Sequence, residues 1–293
     1  MSFLNNVITG VSLGSIYAII ALGYTMVYGI AKMLNFAHGD VIMVGAYVCF
    51  FAVANYALPP LVGVALAMVV CTVLGMVIER LAYQPLRQAP SLAVLITAIG
   101  VSYFLQNGAQ LLWGSNNKMF PTFLNGDALS LMNGELRVSL ATVVNVVACV
   151  VIMLALTWFT GKTKMGKAMR ACSEDKGAAQ LMGINVDTTI SMTFAIGSAL
   201  AAVAGVLYMS SYPILVPTTG SMPGIKAFTA AVFGGIGSIP GALLGGLLLG
   251  VIEIFAGGYI STQLQNAIVF AVLIVVLLVK PTGLLGKQIR EKV

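Results

Sequence analysis

A chain of 293 residues in which 59% of side chains are hydrophobic and only 8% are charged has a mean hydropathy of +0.99. In a soluble domain about a quarter of residues are charged, so this composition excludes one and requires a membrane-embedded chain. The net charge of +6 does not call for nucleic acid, because the basic residues sit at the ends of apolar runs, where membrane topology accounts for them.

Apolar runs fall at about 7–30, 38–56, 60–82, 92–113, 138–160, 188–210, 225–256 and 263–280. Each reaches the ~20 residues that cross ~30 Å of hydrocarbon as a helix. Segments of about ten alternating residues, the mark of a membrane β-barrel, are absent. The expected fold is all-α and polytopic, with about eight hydrophobic helical segments in one domain over residues 1–293 and the lipid bilayer as its solvent. The start, MSFLNN, lacks a basic stretch and a cleavage site, so the first run is expected to stay as a span.

After the first run the chain reads Lys32-Met33-Leu34-Asn35-Phe36-Ala37-His38-Gly39-Asp40, with the sole histidine. Asn35 suits a helix cap with His38 and Asp40 in the following turn. The alternative places Asn35, His38 and Asp40 on a translocation route or partner surface. No second histidine or cysteine stands near enough for a metal site. Cys49, Cys71 and Cys149 lie inside runs without CxxC spacing and read as packing residues. In the fourth run Gln106, Asn107 and Gln110 form a polar stripe, which suits interhelical hydrogen bonding, as does Asn266 in the last.

Basic residues gather in three stretches: Arg80 with Arg87; Lys162, Lys164, Lys167, Arg170 and Lys176; and Lys280, Lys287, Arg290 and Lys292. All three should be cytoplasmic. Three runs separate the second from the third, so one of them must fail to cross once. The run 225–256 would measure about 48 Å as a continuous helix, too long for one span. Gly234, Gly235, Gly237 and Pro240 interrupt it. A half-helix over about 225–235, a break at GGIGSIPG and a second helix over about 240–256 are expected, entering and leaving on one side, with the glycines as gating candidates. Gly237, Gly241 and Gly245, then Gly246 and Gly250, repeat at four-residue spacing and predict close helix approach. Glu253 lies in an apolar helix, where a buried acid is paired or part of a pathway.

The polar insertion at about 161–187 carries AMRACSEDKGAAQLMGI, which reads as one short amphipathic helix bearing Met169, Cys172, Ala179, Leu181 and Met182 before a Gly183-Ile184-Asn185 turn. Glu174 and Asp175 would repel anionic lipid, and the small residues at 177–179 favour docking into a protein groove. Gly161-Lys162-Thr163 is not a phosphate loop, since Leu156 stands where the Walker pattern needs glycine. No HExxH or acid–base constellation is present, so no enzymatic centre is expected.

These segments also carry a resemblance. SLGSIYAIIALGYTMVYGI at 12–30, NFAHGD at 35–40, ERLAYQPLR at 79–87, ACSEDKGAAQLMGIN at 171–185, KAFTAAVFGGIGSIPGALLGG at 226–246 and PTGLLG at 281–286 together resemble the permease subunits of bacterial branched-chain amino acid ABC importers, of the LivH type. The resemblance implies an inner-membrane importer of leucine, isoleucine or valine. It also implies a second homologous permease subunit, two cytoplasmic ATPase subunits that bind the ATP, so that this chain needs no cofactor, and a periplasmic substrate-binding protein. Relatives with similar permeases import other amino acids, urea or short amides, and an ion-coupled secondary transporter built on Glu253 is the alternative of a different class. In such importers a cytoplasmic coupling helix with an E-A-A then G pattern docks on the ATPase. Ala178, Ala179 and Gly183 match it, Gly177 replaces the glutamate, and Glu174 or Asp175 is left to supply the acidic contact.

Overall fold

Among the residues that the computed structural model describes, 2–121, 124, 129–131 and 136–286, eleven α-helices account for most of the backbone. They are α1 Ser2–Ala31, α2 His38–Phe50, α3 Pro60–Ile78, α4 Ser91–Trp113, α5 Leu140–Lys162, α6 Lys164–Glu174, α7 Lys176–Leu181, α8 Val186–Ser211, α9 Ser221–Gly234, α10 Ile239–Phe255 and α11 Gln265–Val279. Two small antiparallel pairs accompany them: β1 Lys118–Met119 with β4 Ile214–Leu215, and β2 Leu129–Leu131 with β3 Leu136–Val138. Among the described residues, seven helical stretches are long and apolar enough to span a membrane, and α11 is a shorter apolar helix. Lys287, Arg290 and Lys292 of the last basic stretch lie outside the described residues.

Helices α1, α2 and α8 form the interior, while α4 and α5 show most of their length to the outside. The inner helices are therefore set by packing against protein, and the outer ones present Leu, Val and Phe to lipid. Helix α1 crosses α10 along its length, and small residues decide how closely. A Cβ added to Gly246 would lie 2.5 Å from Ala18 Cα, and one added to Gly14 would lie 2.8 Å from Leu247 Cα. Gly241 and Gly245 face the other way, onto Gly234 and Ala230 of α9. The two glycine repeats thus serve different neighbours.

The long run 225–256 breaks where glycine and proline predict. Helix α9 ends at Gly234, Gly235 (φ +104°) and Gly237 (φ +93°) turn the chain, and Ser238 Oγ caps α10 by accepting the Gly241 N–H at 3.2 Å. The first leg begins at Ser221 rather than about 225, because Thr218 to Gly220 already form a turn that starts the helix. Leu284 and Leu285 donate backbone hydrogen bonds to Phe233 and Gly234 at 2.9 Å, so the chain after α11 closes over the bend.

Chain ends and contacts orient the bundle. Lys176 bonds the last turn of α1, Arg87 bonds the start of α8, and Gly237 at the α9–α10 bend packs against Gly29. All of this lies at one end, which the basic residues mark as cytoplasmic. Helices α9 and α10 form a hairpin open to the outer side, its bend at the cytoplasmic end, and parity holds.

Candidate functional site

Two helices begin inside the bundle instead of at its surface. Helix α2 starts at His38, whose ring lies against Gly23 of α1, eight residues and about 12 Å from the end of that helix. The His38 ring meets Tyr24 edge-on at 4.6 Å. Helix α9 starts at Ser221, and the two starts touch through glycines: a Cβ added to Gly39 would lie 2.7 Å from Gly220 O. Asp40, buried in the first turn of α2, accepts a hydrogen bond from Gln106 Nε2 at 2.9 Å; the same nitrogen lies 3.2 Å from Ser221 Oγ and Ser102 Oγ. The carboxylate sits at the positive end of the α2 dipole, which offsets its burial, and Gln106 links it to Ser221 at the start of α9. Replacing Gln106 with leucine should destabilise the permease by about 1.5–3 kcal/mol, the usual range for a hydrogen bond to a buried charge. Thermal unfolding in detergent measures this, and an unchanged midpoint would deny the Asp40 contact any weight.

Asn35 does not cap α2. Ala37 occupies the cap position without a side-chain bond, and Asn35 Oδ1 instead accepts from the buried Tyr83 hydroxyl at 2.9 Å. The α2 entry is thus tied to the turn after α3. Of the polar stripe on α4, Gln106 reaches other helices, whereas Asn107 bonds its own helix at Tyr103 O.

Glu253 on α10 has two partners that the sequence reading missed. Lys226 Nζ of α9 lies 2.6 Å from Glu253 Oε1, and Gln265 Nε2 at the start of α11 donates to the same oxygen at 2.9 Å. A lone lysine inside the apolar run 225–256, which also holds a lone glutamate, was the available signal. Both charges are buried, the buried Tyr17 hydroxyl of α1 also neighbours the Glu253 carboxylate, and Glu253 Oε2 has no hydrogen-bond partner. On the outer side a cavity of about 380 Å³ is lined by Tyr208, Tyr212, Pro213, Ile214, Val216 and Thr219 among others.

At the cytoplasmic end the predicted single helix is two helices. Asp175 breaks it: its backbone turns extended (φ −153°, ψ 114°) and its Oδ1 accepts the Ala178 N–H at 3.0 Å, so it ends α6 and caps α7. Thr163 caps α6 in the same way, through Gly166 N at 2.9 Å. Met169, Cys172 and Ala179 face inward, and burial pushes the Cys172 thiol up, as suits a packing residue. Glu174, Asp175 and Ala178 are exposed. Leu181 and Met182 are 90% and 83% exposed, an apolar tip on an otherwise polar loop. Gly183 follows at φ +81°, the left-handed position that ends a helix and that glycine fills without strain.

The loop is fastened to the bundle by charges. Lys176 Nζ donates to Ala31 O at 2.7 Å, at the negative end of the α1 dipole. Burial holds the Lys176 ammonium below the ordinary lysine range, and Arg87 and Lys32 nearby add to this. Arg87 bridges Glu79, after α3, and Asp187 in the first turn of α8; Ser191 Oγ donates to Glu79 Oε2 at 2.5 Å. Movement of α6 and α7 therefore has direct mechanical contact with α1 and α8, the helices of the interior.

The chain matches known proteins over nearly its whole length. The family model described as "Branched-chain amino acid transport system / permease component" matches residues 6–277. The high-affinity branched-chain amino acid transport system permease protein LivH of Escherichia coli (strain K12) is 48% identical over 301 residues, covering 99% of this chain and 98% of that one. The corresponding protein BraD of Pseudomonas aeruginosa is 47% identical over 302 residues with the same coverage. Among solved structures, PsaBC from Streptococcus pneumoniae in complex with Fab aligns with a TM-score of 0.49 at 16% identity, over 96% of this chain and 93% of that one. A match over nearly the whole length to family model and relatives alike places the chain in the branched-chain amino acid transport permease family.

Proposed function

We propose that this chain is the permease subunit of an ATP-driven importer of leucine, isoleucine or valine in a bacterial inner membrane. It forms the substrate pathway with a second, homologous permease. Two cytoplasmic ATPase subunits bind ATP and dock at α6 and α7, a periplasmic binding protein delivers the amino acid, and the chain itself holds no cofactor. The observation that carries this reading is the exposed Leu181–Met182 tip on a loop whose Lys176 is bonded to the end of α1. An apolar tip that faces water in this chain alone is explained by a groove on a partner. Its linkage to α1 gives the partner's movement a route to the bundle, where a shift between inward- and outward-open arrangements moves substrate.

The acidic contact is tested by a Glu174→Lys, Asp175→Asn double variant. Asparagine retains the cap of α7, so the charges change without undoing the helix. ATPase co-purification and leucine uptake should each fall about tenfold, the equivalent of ~1.4 kcal/mol of docking energy. Undiminished uptake would show that neither acid touches the ATPase.

A further inference from the structure

An aliphatic amino acid brings a zwitterionic head into an apolar bundle, and each of its charges needs a partner there. We propose that Lys226 and Glu253 are those partners: Glu253 receives the α-ammonium and Lys226 the α-carboxylate of the amino acid in transit. This rests on the amino acid reading given above.

Three observations converge on the pair. First, the lysine and glutamate side chains are only 8% and 5% exposed and lie on the two legs of the α9–α10 hairpin, so relative movement of the legs opens or closes the gap between them. Second, Glu253 Oε1 takes both Lys226 and Gln265, the buried Tyr17 hydroxyl of α1 is a further neighbour of the carboxylate, and Oε2 has no hydrogen-bond partner in this arrangement. Buried polar atoms are satisfied in nine cases of ten or more, so a carboxylate oxygen left over marks a place for a donor, which an ammonium supplies. Third, two residues that line the 380 Å³ cavity, Tyr208 and Tyr212, lie within electrostatic range of Glu253. The cavity's Pro213, Ile214 and Val216 suit a branched aliphatic side chain, and the tyrosine rings suit a cation.

The exchange follows from ion-pair energetics. Parting two buried charges leaves each uncompensated and is strongly unfavourable. A zwitterion entering between them replaces the one lost contact with two, so the pair opens to a molecule that bears both charges. A molecule with one charge would leave a protein charge unpaired.

The test is leucine uptake by the complete transporter reconstituted with its ATPases and binding protein, using Glu253→Gln, Lys226→Met and the double Lys226→Met, Glu253→Gln variant. Thermal midpoint and ATPase stimulation by the loaded binding protein are read on the same samples. A purely structural pair is rescued in the double variant, since removing both charges leaves none uncompensated. A head-group site is not rescued: the double variant is expected to assemble and hydrolyse ATP while uptake falls about tenfold or more, the loss of at least one charge-assisted contact. Uptake by the double variant equal to the unaltered chain overturns the proposal while leaving the amino acid reading in place. Lack of ATP-driven leucine uptake by the unaltered chain overturns both. Should the double variant not assemble, Tyr212→Leu decides: a loss of uptake with ATPase stimulation retained supports the site, and normal uptake removes the cavity from the route.

Discussion

A Leu181→Glu, Met182→Glu double variant is expected to stop ATP-driven uptake while the permease itself stays folded. Both side chains face water, at 90% and 83% exposure, so charging them costs this chain little. In a complex with the ATPases they would be covered. Burying two such apolar side chains is worth about 3–6 kcal/mol together, and losing it weakens docking by about 10²–10⁴-fold. Binding energy concentrates in a few well-packed, desolvated positions near the centre of an interface. The position is well controlled from below, because Asp175 caps α7, Gly183 ends it and Lys176 holds its first turn against α1. Co-purification of the ATPases with the variant, together with its thermal midpoint, checks the expectation. A variant that retains full ATPase binding would remove the apolar tip from the docking surface.

Replacing Gly250 with valine should largely abolish the folded permease. A Cβ at that position would collide with the backbone of Gly14 and the carbonyl of Gly10 on α1. The obstacle is main chain, which no rotamer change relieves, so α1 and α10 would have to separate. Overpacking costs about 1–3 kcal/mol even where side chains can shift. Here the close crossing is itself the source of stability, since lipid gives helices no hydrophobic reason to associate. Gly100 and Gly108 of α4 have open space around an added Cβ, so alanine at either should be tolerated. Detergent thermal stability of the three variants separates the cases; a Gly250→Val variant as stable as the alanine variants would mean that the α1–α10 contact does not hold the bundle.

The spans were legible because a run of about twenty apolar residues has one physical use in a membrane. The bend at Gly234–Gly237 was legible too, from helix length and from residues that leave the helical region at no cost. What composition does not contain is pairing between distant segments. Lys226 lies within an apolar run and Glu253 in the same run, yet only the fold of the hairpin shows that they meet. Asn35 has the chemistry of a cap, but tertiary contact with Tyr83 claims its side chain. Asp175 read as a helix interior residue because the amphipathic period continues through it; its capping bond to Ala178 instead divides the segment in two. Helix α9 starts at Ser221, before the apolar run at 225, because an apolar run does not mark the first turn, Ser221-Met222-Pro223-Gly224.

The most direct test of the account is uptake of labelled leucine by cells carrying this chain with its partner subunits, measured with ATP depleted and the proton gradient maintained, and then the reverse. Uptake that stops with ATP and survives collapse of the gradient is the result predicted. Uptake that persists without ATP and vanishes with the gradient would contradict it, and would make Glu253 an ion-coupling residue instead of half of a substrate site.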